Sequence, residues 1–133
     1  MTPLHWNPEW EMGEPSLDLQ HRAMLDAGNR LRGALAAGRG QMEIKRALSF
    51  LLVYVESHFK NEERLMERAG YPELDAHRAK HRSCSQRIDG LLEQCRNGSP
   101  ETLGDLIEFF DYWLVEHFEN SDRQFARFLQ ANP

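Results

Sequence analysis

Strand signals, paired cysteines, clustered positive charge and long apolar runs are what this chain has least of. Each shortage removes a class of protein. Alternating β-branched runs are nearly absent, which disfavours a sheet-built fold. The two cysteines, Cys84 and Cys95, lie eleven residues apart on one helical stretch, so about 16 Å separates them along its axis. That is beyond disulfide reach. Both fall on an apolar stripe and read as buried small hydrophobes, the alternative being a reactive thiol. Lys and Arg number 16 against 21 Asp and Glu, giving a net charge of −5 and a pI near 5.7. Nucleic acid and anionic membrane surfaces want the opposite balance. The longest strongly apolar stretch, Leu48 to Val55, is far short of the about 20 residues of a membrane span. Met1 to Pro15 lacks the basic start and apolar run of a signal peptide. The expectation is a soluble cytoplasmic protein, and 133 residues fit one domain with a real core.

What the chain does have is helical periodicity, cleanly punctuated. Gly38-Arg39-Gly40, Gly70-Tyr71-Pro72 and Asn97-Gly98-Ser99-Pro100 break it into four stretches. Gly70 is placed for a left-handed cap and Pro72 prevents continuation. Ser99 suits the N-cap of the last helix, with Pro100 at its first position. The pattern predicts helices over Asp18–Ala37, Gln41–Ala69, Glu73–Arg96 and Pro100–Leu129. Short connections between long helices make antiparallel neighbours. The expected fold is all-α: an antiparallel up-down-up-down four-helix bundle over 18–129, preceded by an N-terminal extended arm over 1–17.

The inward stripes carry histidines. His21, Leu25, Gly28, Leu31 and Leu35 share one face of the first helix. Ile44, Leu48, Leu51, Val55, His58, Glu62 and Leu65 share one on the second. Leu74, His77, His81, Cys84, Ile88, Leu91 and Cys95 do so on the third, and Leu106, Phe110, Trp113 and His117 on the fourth. Steps of three and four mark a bundle core. Asp122 fits less well, because five residues beyond His117 it is rotated by roughly 140° on an ideal helix. Either a local widening of the helix re-aims it, or it reaches round from the flank.

A single core histidine is usually a hydrogen-bonded packing residue, and His5, beside Trp6 with no partner spacing, is read as that or as exposed. Five on facing stripes with a core glutamate are different, since unpartnered they would lose water without compensation. A metal cluster removes that cost. Seven nitrogen and oxygen donors without thiolates suit iron, and they are too many for one ion. Structural zinc, which wants four ligands, does not fit. Glu63, 100° off the stripe, reads as a surface acid or one supporting a ligand from behind. Lys60, Arg64, Arg78 and Arg82 read as a solvated face.

Taken in order, these residues resemble the hemerythrin family in its stand-alone bacterial form. The resemblance rests on the N-terminal tryptophans, Asp18-Leu19-Gln20-His21, Asn29-Arg30-Leu31, His58-Phe59-Lys60-Asn61-Glu62-Glu63 and Gly70-Tyr71-Pro72. It continues through His77-Arg78-Ala79-Lys80-His81 and Trp113-Leu114-Val115-Glu116-His117 to Asp122. It implies a non-haem di-iron centre that binds O2 reversibly and does not turn substrate over. One iron would be held by His77, His81 and His117, the other by His21 and His58, with Glu62, Asp122 and an oxo or hydroxo group bridging. The two-histidine iron would keep an open position for O2, or for azide on the ferric form. A dry pocket of Met24, Phe59, Trp113, Leu114 and Phe118 would surround that position, though plain core packing explains each of the five equally well. Phe118 and Met24 depart from the family's smaller aliphatic residues and would narrow, reshape or gate access. The sequence leaves the oligomeric state open, with a monomer as the default expectation. The other classes are a di-iron redox enzyme handling peroxide or nitric oxide, and an O2 sensor working through a separate partner. Five neutral imidazoles favour carriage, because oxygen-activating di-iron bundles are carboxylate-rich.

Overall fold

The computed structural model describes residues 3–38, 41–96 and 101–132. All regular structure among them is helical: α1 (Pro15–Ala36), α2 (Gln41–Ala69), α3 (Leu74–Arg96), α4 (Glu101–His117) and α5 (Arg123–Ala131). A single π-helical turn, Phe118–Asp122, joins α4 to α5, so these three form the fourth rod of the bundle. Chain neighbours pack on one another and α4 closes against α1, giving the expected four-helix bundle. No described helix is long and apolar enough to cross a membrane. The proposed cap at Ser99 and Pro100 lies outside the described residues, as do Arg39 and Gly40 and the side chain of Cys95.

Helix ends follow local chemistry. Helix α1 starts at Pro15, three residues before the expected Asp18, because Glu14 caps it: its carboxylate accepts the Leu17 N–H at 2.9 Å. Proline at the first position needs no donor there. Asp18 is then free for another task. Buried, it accepts the N–H groups of Met12 at 2.8 Å and Gly13 at 3.1 Å, folding the arm back on the helix. Gly13 takes φ of +83° in that turn, a region costly to side chains. At the far end of α2, Gly70 has φ of +67°. Tyr71 N–H reaches Met66 O at 2.9 Å and Gly70 N–H reaches Glu67 O at 3.1 Å, the paired bonds of a Schellman cap.

The expected extended arm is not extended throughout. A 3-10 turn at Pro8–Trp10 breaks it, with the Asn7 side chain accepting the Glu9 N–H. Asn29 clamps Leu4 from both sides, accepting its N–H at 2.9 Å and donating to its carbonyl at 2.7 Å. The clamp is backed by a buried Arg32, which bonds both Asn29 and Asp111. Trp6 and Trp10 then fold over Phe118, ring centroids 6.0 and 5.4 Å away.

Two apolar clusters fill the bundle. The larger includes Leu25, Leu31, Leu51, Val55, Cys84, Ile88, Leu106, Phe110 and Leu114, and the smaller is Met12, Leu17, Met66, Tyr71, Phe125 and Ala126. On every rod the switch between clusters happens where the histidines fall. His21 lies between Leu17 and Leu25, and His58 and Glu62 between Val55 and Met66. His77 and His81 precede Cys84, and His117 and Asp122 separate Leu114 from Phe125. Apolar layers above and below thus fix a polar layer at one level of the bundle.

Candidate metal centre

All seven candidate ligands converge in that layer, and none is more than 4% exposed. The i,i+4 pairs on α2 and α3 reach inward because ordinary helix geometry stacks them on one face. His117 and Asp122 do so because the π turn absorbs the extra residue. Of the two routes open to Asp122 from its spacing, local widening of the helix is the one observed.

Glu62 divides its oxygens between two groups of histidines. Oε1 contacts His77 Nε2 and stands 3.4 Å from His81 Nε2 and 3.6 Å from His117 Nε2. Oε2 stands 3.0 Å from His58 Nε2 and 3.4 Å from His21 Nε2. Asp122 divides the same way, Oδ1 lying 3.0 Å from His117 Nε2 and 3.4 Å from His77 Nε2, and Oδ2 3.2 Å from His21 Nε2. Ring to ring, His21 and His58 present Nε2 atoms 3.0 Å apart, and His81 and His117 3.3 Å apart. One donor set is Glu62, His77, His81 and His117; the other is His21, His58, Glu62 and Asp122.

A cation fits these residues better than protons do. Glu62 Oε2 and both Asp122 oxygens are buried without a hydrogen-bond partner, although imidazole nitrogens stand beside them. Buried anions so left are costly. Ligands about 2.1 Å from an ion and at right angles lie about 3.0 Å apart, near the spacings found here. With protons alone the electrostatics are strained. Burial lowers the His21 and His77 pKa values, yet Asp122 and Glu62 outweigh it and raise both to about 9. His117 is raised for the same reason. For His58 burial wins, with His21 adding to it, and the pKa falls. Burial pushes the two carboxylates up, but the surrounding imidazoles hold Glu62 and Asp122 below the usual carboxylate range.

The outer ring nitrogens are treated unequally. His81 Nδ1 faces Glu63 Oε2 at 2.9 Å, and Arg78 Nε donates to the other Glu63 oxygen at 3.2 Å. Glu63 therefore supports a ligand from behind, as its position suggested. Arg78 is not simply solvated: it is half-buried and also pairs with Glu67 and Asp75. His58 Nδ1 meets the neutral Gln20 Oε1 at 3.1 Å, which Asn61 Nδ2 orients from 3.0 Å. His21 Nδ1 is buried with no partner. Gln20, Asp18, Arg32 and Lys80 were given no such role from the sequence, because their partners lie on the arm or on other helices.

The aromatic residues split between the two sets. Phe59 stacks on His81 at 3.9 Å and 7°, and Trp113 on His117 at 4.3 Å and 15°. Phe118 tilts over His21 at 4.3 Å. Met24 and Leu114 are buried in the larger cluster, one turn from His21 and His117. The five residues grouped by resemblance around one open position thus share the larger apolar cluster but are divided between the two histidine sets. Phe59 and Trp113 attend the three-histidine set.

A helical bundle whose central layer is five imidazoles and two carboxylates defines a histidine-rich metalloprotein of the all-α class. Residues 12–129 match the family described as Hemerythrin HHE cation binding domain. The chain belongs to the hemerythrin family. It is 33% identical over 114 residues to the bacteriohemerythrin of Methylococcus capsulatus, covering 86% of each chain. It is 31% identical over 123 residues to that of Pseudomonas aeruginosa, covering 92% of this chain and 78% of the other. A hemerythrin-like protein of Naegleria gruberi is 30% identical over 129 residues, covering 96% and 95%.

Proposed function

We propose that this protein binds O2 reversibly at a pair of iron ions held in the histidine–carboxylate layer. The observation that carries this reading is the division of oxygens: Glu62 and Asp122 each turn one oxygen to His77, His81 and His117 or to part of that set, and the other to the His21 and His58 side. Carboxylates so placed suit a bridge between two ions. Nitrogen and oxygen donors without sulfur suit iron. Bound iron supplies the electrons and the vacant coordination position that O2 binding needs.

His77, His81 and His117 would hold one ion and His21 and His58 the other, with Glu62 and Asp122 shared between them. The second set offers one donor fewer, so an exchangeable position would fall beside His21 and His58. The side chains around the layer hold water and protons away. Phe118 covers His21, Trp6 and Trp10 cover Phe118, and the rings on His81 and His117 carry no titratable proton. Apolar rings packed on the ligands disfavour proton delivery to bound O2, and neutral imidazoles outnumber the carboxylates, which favours release of O2 over its reduction.

The test is the visible spectrum of anaerobically prepared ferrous protein, before air, after air, and after degassing. A band that appears with air and disappears on degassing, over repeated cycles with two irons per chain, is the expected result. Irreversible conversion to the ferric form in the first cycle would overturn carriage in favour of redox chemistry.

A further inference from the structure

Asp122 reaches the site only because the helix widens at Phe118–Asp122, and something outside the metal layer must hold that turn. The residue just before it, Ser121, is buried, and its hydroxyl oxygen accepts a hydrogen bond from Lys80 Nζ at 2.6 Å. Lys80 stands on α3 between His77 and His81, with its side chain on the outer face. The same lysine therefore ties the strand of helix that supplies two ligands to the turn that aims a third. On the opposite flank, Trp10 Nε1 donates to Glu119 Oε1 at 3.3 Å and Arg123 Nη2 donates to the Glu9 carbonyl at 3.1 Å. These hold the turn against the arm, but Glu119 lies three residues from Asp122, and Arg123, although adjacent to it, lies outside the widened turn.

We propose that Lys80 is a positioning residue for the metal centre: its bond to Ser121 latches the π turn so that the Asp122 carboxylate faces both histidine groups. This rests on the metal reading above, and it assigns a role to a solvent-side lysine that touches no ligand. The chemistry is that of a charge-assisted bond, short and directional, formed to a hydroxyl whose backbone neighbour must not rotate. A π turn is a rare departure from the regular helix, so a tertiary contact is needed to hold it. Without the latch the turn samples ordinary helix, and the Asp122 side chain swings off the stripe.

The experiment compares Lys80→Met, Lys80→Arg, Ser121→Ala and the Lys80→Met/Ser121→Ala double variant with the parent. Amide hydrogen exchange is followed in metal-free protein, and loss of iron to a chelator in the loaded protein. Lys80→Met is expected to speed exchange at amides 118–123 while α1 and α2 keep parent rates. It is expected to speed chelator-driven iron loss by about tenfold, the scale seen when an outer support of a metal site is removed. Lys80→Arg restores both. The double variant behaves like either single change, because both act through one bond. Unchanged exchange at 118–123 in Lys80→Met, or effects of the two changes that add, would overturn the latch. Exchange altered as expected in Lys80→Met, with a parent that takes up no iron, would overturn the metal reading and leave the latch standing.

Discussion

His21 and His77 each sit against two carboxylates, and in the metal-free chain that company keeps them protonated near neutral pH. Their pKa values rise from 6.5 to about 9 despite burial, so the pairing stabilises the metal-free fold fully below about pH 6.5 and is lost as pH rises through 9. A ligand nitrogen must be neutral, so a metal has to displace those protons. Anaerobic ferrous titration at pH 7.5 in weak buffer is therefore expected to release about two protons per chain from these residues, with apparent affinity climbing between pH 6.5 and 9. An indicator dye reads the release, and a titration with no proton signal would contradict the ligand assignment. The five histidines and Glu62 were legible from spacing alone, because stripes of three and four announce the face each residue takes. Of their outer partners, Glu63 was legible as one of two alternatives and Gln20 was not, because which imidazole either meets depends on the facing of neighbouring helices.

At the level of single elements, the π turn is the one place among the described residues where period and function conflict. It lets a residue five positions from His117 do what a residue four positions away would do in a regular helix. Asn120, an exposed residue in that turn, is therefore expected to be dispensable. Deleting it leaves four-residue spacing in a continuous helix, with His117 and the following aspartate still on one face. The deletion is expected to keep two irons per chain by elemental analysis. Inserting an alanine after Asn120 is expected to lower that count, and equal iron in the two variants would show that the turn does not aim Asp122. Boundaries were legible only where glycine and proline mark them. Gly70 and Pro72 placed the end of α2 correctly, whereas α1 began at Pro15 because a glutamate, not one of the usual capping residues, satisfies its first turn.

Across the whole molecule, two apolar clusters clamp a polar layer in which Glu62 Oε2 and both Asp122 oxygens are left without hydrogen-bond partners. Stripping the metal is expected to lower the melting temperature by about 10–20 °C, since a tightly bound ion stabilises only the folded state. Thermal denaturation of metal-free and loaded protein checks this, and coincident curves would mean that the imidazoles and carboxylates satisfy one another. What the sequence determined by itself was the helical class, the four rods, the stripe on each and six of the seven inward donors, all of which depend on residues a few positions apart. What only the tertiary structure decided was how the rods face one another. The sharing of Glu62 and Asp122 between two histidine groups, the division of Phe59, Trp113 and Phe118 between them, the arm folded over Phe118, and the tie from Lys80 to Ser121 all join residues distant in the chain. Periodicity encodes which face of a helix turns inward, but it does not encode what waits there.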